Sequence, residues 1–88
     1  MGRIERRRFA PAKGHVFHNR GGGDFLCTSE TFWIGYESRA WMQNVKSGWS
    51  FEARDIRIYD NGDIDWGYSV GGRWADLPAF MPGKEALS

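Results

Sequence analysis

Between Trp49 and Val70 the chain alternates apolar and polar side chains on both sides of Asp60-Asn61-Gly62. A period of two is the mark of a half-buried strand. Asn followed by Gly supplies the positive-φ positions that a tight turn needs. The segment therefore reads as a β-hairpin, with strands at about Trp49–Tyr59 and Asp63–Val70. A two-residue loop would set Tyr59 opposite Ile64 and Ile58 opposite Asp65. A three-residue loop, with Gly62 left-handed, sets Ile58 opposite Ile64, Ile56 opposite Trp66 and Arg57 opposite Asp65. The second register matches apolar with apolar and opposite charges with each other, each pair contributing roughly 0.2–1 kcal/mol. A slip of one residue would turn the apolar set to the wrong face. The expected register is thus the three-residue loop, with Ile56, Ile58, Ile64 and Trp66 on the core and Arg57, Tyr59 and Asp65 facing outward. A bend is expected near Arg54-Asp55.

Upstream, Gly14–Phe17, Asp24–Ser29, Thr31–Glu37 and Ala40–Val45 read as strands, several of them rich in aromatic and β-branched residues. Asn19-Arg20-Gly21-Gly22-Gly23, Glu37-Ser38-Arg39 and Lys46-Ser47-Gly48 read as loops or turns, and Gly71-Gly72 as the point where the sheet breaks. No long amphipathic helix is present. The expected fold is mainly β: a small antiparallel meander, a curled sheet or half-barrel. Residues 1–13 are expected as a basic flexible arm, with Met1 to about Arg8 disordered, and residues 14–74 as the β domain. Residues 75–88 are expected as an irregular tail that docks Leu77, Phe80 and Met81.

The 88 residues contain five Trp, three Tyr and six Phe. A domain this small buries only about 60–65% of its unfolded surface, while each ring needs roughly 150–250 Å² of cover. Some rings must stay at the surface, where they can anchor a partner or stack on a base. Trp33, Tyr36, Trp41, Trp49, Tyr59, Tyr68 and Trp74 are the candidates, and Trp33 and Trp41 are expected to point away from their apolar neighbours. The competing explanation is that the rings thicken a small core.

Charge is unevenly spread although the formal net charge is +1. Residues 1–20 carry Arg3, Arg6, Arg7, Arg8, Lys13 and Arg20 against Glu5 alone, and the rest of the chain carries six basic against ten acidic side chains. Such an asymmetry suits nucleic-acid contact through Arg3, Arg6, Arg7 and Arg8, or an arm that lies back on its own acidic body. Cys27 is the single cysteine, so no intrachain disulfide forms. With no apolar run after the basic N-terminus, a reducing cytoplasm is the expected compartment. No stretch approaches the ~20 apolar residues of a membrane span.

Motifs for chemistry are few. His15, His18 and Cys27 have no fourth His or Cys to close a zinc site, with Asp24 as an irregular substitute, so no metal and no cofactor is expected. Arg20, Gly21, Gly22 and Gly23, with Arg73, could present backbone N–H groups and charge to a phosphate, although no P-loop pattern surrounds them. Glu52, Asp55, Asp60, Asp63 and Asp65 alternate with apolar residues as on a solvated strand face, not as a catalytic pair. The protein is expected to be non-enzymatic.

Three phrases, His18-Asn19-Arg20-Gly21-Gly22-Gly23, Met42-Gln43-Asn44-Val45-Lys46-Ser47-Gly48-Trp49 and Ile64-Asp65-Trp66-Gly67-Tyr68-Ser69, resemble small proteins of unassigned function encoded in prophages and mobile elements of gut-type Firmicutes. The resemblance covers about Gly14 to Trp74. It implies a phage accessory protein of a kind that often inhibits host defence, by binding a CRISPR effector or another defence protein or by sequestering a nucleotide signal. The leading expectation is an inhibitor that binds a host defence protein through an acidic, aromatic-rich sheet. The alternatives are a nucleotide-signal binder and a nucleic-acid-binding protein that uses the arginine arm. A homodimer formed through strand edges is also open.

Overall fold

The computed structural model describes residues 6–77, and all of its regular structure is β. Seven strands form one antiparallel sheet: β1 (Arg6–Arg8), β2 (Val16–His18), β3 (Asp24–Cys27), β4 (Phe32–Ile34), β5 (Glu37–Asn44), β6 (Trp49–Tyr59) and β7 (Ile64–Trp74). β6 is the spine. β7 runs along one of its edges, while β5 and β1 share the other, β5 beside residues 50–54 and β1 beside 57–59. β5 in turn carries β4 and β3 on its far edge, and β2 lies outside β3. The sheet curls until the end of β2 meets the start of β7 at one parallel bridge, Asn19 to Ile64. One bridge is not a ladder, so the sheet is not a closed barrel. No helix is long and apolar enough to cross a membrane among the described residues.

The β6–β7 hairpin has the expected register: Ile58 pairs with Ile64, Arg57 with Asp65 and Ile56 with Trp66. Its loop is Asp60–Gly62, with Gly62 at φ 91° and the Tyr59 amide donating to the Asp63 carbonyl at 2.8 Å. Asn61 Oδ1 accepts from the Asp63 amide at 3.0 Å and braces the turn. Ile56 and Ile64 are fully buried with Cys27, Ala40, Met42, Phe51 and Ala53, and Phe9, Phe17, Phe25, Ile58 and Trp66 pack around them. The bend expected near Arg54-Asp55 is real: Asp55 adopts φ 60° inside β6.

Four expectations are corrected. Gly71-Gly72 does not end the sheet. It forms a bulge, two residues of β7 facing Phe51 between the pairs Ser50–Arg73 and Glu52–Val70, and pairing resumes to Trp74. The turn before β5 is at Gly35-Tyr36, with Gly35 at φ 62°, so Glu37-Ser38-Arg39 is strand. Ser38 is buried because its hydroxyl donates to the Phe9 carbonyl at 2.7 Å and accepts from the Ile56 amide at 3.3 Å, which stitches β5 to β6. The basic arm is ordered from Arg6, since Arg6–Arg8 forms β1 on β6 and Phe9 packs on the core. An edge position suits three arginines, whose backbone pairs while their side chains remain in water. Residues 14–74 therefore do not contain the whole sheet.

The start of the tail is tied down by Gln43. Its Nε2 donates to the carbonyls of Ala75 at 2.9 Å and Gly48 at 3.3 Å. Leu77 is partly buried; Arg3, Phe80 and Met81 lie outside the described residues.

Candidate functional site

None of the five tryptophans is fully buried. Their rings, with those of the tyrosines, fall into three places that the register defines.

The first place is the outer face of β4, β5, β6 and β7. Directly paired residues share a face, so the ladders draw two rows across the strands. One row runs Phe32, Arg39, Arg54, Tyr68, and the other Trp41, Glu52, Val70. Phe32, Ile34, Tyr68 and Val70 are exposed on this surface, Ile34 to 53%. The charges between them are cancelled within the molecule. Arg39 Nε lies 2.6 Å from Glu37 Oε2, and Arg54 Nη2 lies 2.6 Å from Glu52 Oε1. The Tyr68 hydroxyl donates to Glu37 at 2.8 Å and 2.9 Å. That hydrogen bond, with help from Arg39, holds the Glu37 carboxyl below the ordinary carboxylate range, and Glu52 holds Arg54 above the usual guanidinium value. Arg73 sits over the Trp41 ring at 5.1 Å and Arg54 over Tyr68 at 5.9 Å. The face is aromatic-rich as expected, but it is not acidic, because its glutamates are paired with arginines.

The second place is the β4–β5 turn and the opposite sheet end. Trp33 is 46% exposed and Tyr36 79%. Trp33 faces away from Phe32 and Ile34, pairing with Ser38 while they pair with Arg39 and Glu37, although all three are exposed; Trp41 stands between fully buried Ala40 and Met42. Arg8 caps Tyr36 at 4.9 Å. At the far end Trp49 and Trp74 pack edge to face with centroids 4.7 Å apart, and Trp74 is 70% exposed.

The third place is a cleft of about 440 Å³ lined by Asn19, Arg20, Gly21, Tyr59, Asp65 and Trp66. It exists because the Arg20 amide donates to the Ile64 carbonyl at 2.8 Å, which draws the glycine loop onto β7. The Arg20 guanidinium lies 4.3 Å from the Tyr59 ring centre, and the Tyr59 hydroxyl donates to Asp65 Oδ2 at 2.6 Å. Trp66 is wedged edge-on against Phe25 with centroids 5.2 Å apart. Arg6 pairs with Tyr59 and Arg8 with Arg57, so both stand on the face that carries the Tyr59 ring.

The phosphate reading of the loop changes in this geometry. The amides of Asn19, Arg20, Gly21 and Gly22 are all engaged, donating to the Gly23 carbonyl, the Ile64 carbonyl, Asn19 Oδ1 and the Asn19 carbonyl. Four of the five loop N–H groups are thus used within the fold, and no row of donors is left for an anion. Arg73 cannot join Arg20 either. It pairs with Ser50, whereas Arg20 bonds Ile64 opposite Ile58, and eight residues of strand between them span roughly 25 Å. The Arg20 side chain lines the cleft over the Tyr59 ring.

Arg7 reaches Asp60 at 3.2 Å, so the arm does lie partly on an acid of its own domain. His18 Nδ1 meets Asp24 Oδ1 at 2.9 Å. The Cys27 thiol is enclosed, donating to the Ser29 carbonyl at 3.2 Å, and burial raises its pKa. Among the described residues no three His, Cys, Asp or Glu side chains gather to hold a metal. Sequence reasoning missed Asp65 and Trp66 as cleft residues, and Phe32, Ile34 and Val70 as part of the exposed face. The register of Ile56 with Trp66 and Arg57 with Asp65 was the available signal, but the parallel bridge that adds Asn19 has no local signature.

Comparison with family models, with curated proteins and with solved structures found no match.

Proposed function

We propose that the protein is a non-enzymatic accessory protein of a phage or mobile element that blocks a host defence complex by docking on one of its proteins. The observation that carries the docking surface is the pair of cross-strand rows, Phe32-Arg39-Arg54-Tyr68 and Trp41-Glu52-Val70. Aromatic and aliphatic groups lie exposed there beside arginines whose charge is already balanced. Such a surface loses less on desolvation than one with lone guanidiniums would, because each guanidinium keeps its carboxylate when water leaves. Arginine and aromatic residues are also the types that dominate protein-interface energetics. Recognition by this face is therefore aromatic and shape-driven, rather than acidic mimicry of nucleic acid. The host-defence target rests on the resemblance of the three sequence phrases to prophage proteins.

The test is complex formation with purified CRISPR effectors and other defence proteins, followed by size-exclusion chromatography. A stoichiometric complex that is lost in Phe32→Asp/Tyr68→Asp is the expected result. Both positions are solvent-exposed, and a melting curve close to that of the wild type establishes that the variant folds. Loss of one buried aromatic anchor weakens an interface by about 2 kcal/mol or more. Expression in a defence-bearing host should raise phage plating efficiency in step with binding. Failure of every defence protein to bind overturns the target; binding unchanged in the double variant overturns the surface.

A further inference from the structure

The arginines of this protein fall into two groups. Arg7, Arg39, Arg54 and Arg57 each reach a carboxylate, at 2.6–3.2 Å. Arg6, Arg8, Arg20 and Arg73 have no carboxylate partner among the described residues; Arg73 lies over Trp41 on the outer face, while Arg6, Arg8 and Arg20 gather on one side of the molecule. Arg6 stands opposite Tyr59, Arg20 covers the ring of Tyr59, and Arg8 stands two residues along the same strand, over Tyr36. All three are exposed. The cleft that opens beside Tyr59 adds Trp66, Asn19 and Asp65.

We infer that this cleft binds a nucleoside phosphate, with Arg20 leaving the outward-facing Tyr59 ring to take the phosphate together with Arg6, and the base taking its place on that ring. Unpaired guanidiniums are suited to phosphate because their planar N–H fork matches its oxygens. Aromatic walls are suited to bases because every base has a π-face to stack. Asn19 keeps its Oδ1 on the Gly21 amide at 2.8 Å, which fixes its side chain at the cleft. Asp65 is held by the Tyr59 hydroxyl and offers a carboxylate oxygen to a base N–H. The loop backbone is not the phosphate holder, since its amides are engaged; the holder is the pair of side chains.

The same chemistry has two sources, a free nucleotide and a nucleotide within a single strand. On β1, Arg6 and Arg8 project from one face about 6.6–7 Å apart, so the site can continue from the cleft along an extended backbone toward Tyr36. This inference is independent of the docking face, whose variants at Phe32 and Tyr68 lie outside the cleft.

The experiment uses the full chain. Fluorescence polarisation follows a labelled ten-nucleotide single strand and its duplex, and isothermal titration follows ATP, GTP and cyclic dinucleotides. Arg20→Ala/Arg6→Ala should weaken binding at least tenfold, and Arg73→Ala should leave it unchanged. For a single strand, the slope of log K against log salt should fall by about 1.4 when two phosphate contacts are removed. Matching melting curves establish that the variants fold, and Arg20→Lys, which keeps the charge but loses the fork, should give an intermediate affinity. Binding of nucleotides without the strand identifies a free nucleotide as the ligand; binding of the strand identifies nucleic acid. Binding of neither, or binding that the double variant leaves intact, overturns the inference.

Discussion

Asp55 stands opposite Gly67 across the β6–β7 ladder, between the pairs Arg54–Tyr68 and Ile56–Trp66, and both strands change the face they bury at that point. Before it, Phe51 and Ala53 point into the core; after it, Ile56 and Ile58 do. Strict alternation would carry Ala53 to Asp55. The left-handed φ of 60° at Asp55 absorbs one residue and restores the register of the core. Asp is among the few non-glycine residues that visit this region, because its short polar side chain finds a local partner, here Arg57 at 3.0 Å.

A methyl group at Gly67 would lie 3.0 Å from Asp55 Oδ2 and 3.2 Å from Asp55 Cβ. Gly67→Ala should therefore destabilise the fold by about 1–3 kcal/mol, as overpacking does. The offending atoms all belong to the Asp55 side chain, so in an Asp55→Gly background the same change should be nearly neutral. Urea unfolding of the four members of this cycle gives the coupling. Additive effects would show that the two positions do not share this contact.

Cys27 is fully buried, and its thiol donates to the Ser29 carbonyl. Burial raises its pKa and so suppresses the thiolate that reacts. Alkylation at pH 8 should be slower than that of an unstructured cysteine peptide by orders of magnitude, and should accelerate with urea in parallel with unfolding. A rate near that of the peptide would mean that the β3 region opens freely.

Much of the architecture was legible because cross-strand pairs are local to a hairpin. Ile58–Ile64, Ile56–Trp66 and Arg57–Asp65 follow from one turn and one rule of matching. The spacing Phe51, Ala53, Ile56, Ile58 also carried the bend. What could not be read depends on contacts between distant segments. Ser38 looks like a turn residue until Phe9 and Ile56 are seen to satisfy its hydroxyl. Three consecutive arginines look like a loose arm until the free edge of β6 is seen beside them. The cleft needs Asn19 and Trp66 together, and only the curl of the sheet supplies that. The surplus of aromatic rings did predict exposed ones, and Trp33, Tyr36, Tyr68 and Trp74 are exposed.

The Glu37–Tyr68 hydrogen bond makes part of the outer face sensitive to acid. Glu37 has a depressed pKa, chiefly from the Tyr68 hydroxyl and then from Arg39. A carboxyl that is more acidic folded than unfolded stabilises the fold above its unfolded pKa. That contribution is lost as pH falls through the folded value. Tyr68→Phe should move the Glu37 titration upward toward the ordinary glutamate range, read by carbon NMR of the side-chain carboxyl, and should flatten the acid limb of the stability profile. An unmoved titration would mean that Arg39 alone sets the shift.

Trp49 and Trp74 close the open end of the β6–β7 ladder as an edge-to-face pair. The indole of Trp49 lies across Gly72, where a Cβ would overlap Trp49 Cζ2 and come within 3.0 Å of Cε2. Gly72 is thus the space that lets the ring lie flat on β7. Gly72→Ala must expel the indole, which is already partly exposed and can swing into water. The change should therefore cost no more than about 1 kcal/mol of the ring's burial while abolishing its coupling with Trp74. Near-ultraviolet circular dichroism reads that coupling directly, and the Trp74→Phe variant supplies the spectrum of an uncoupled Trp49. Gly72→Ala should reproduce it; a spectrum identical to the wild type would show that the indole does not rest on Gly72.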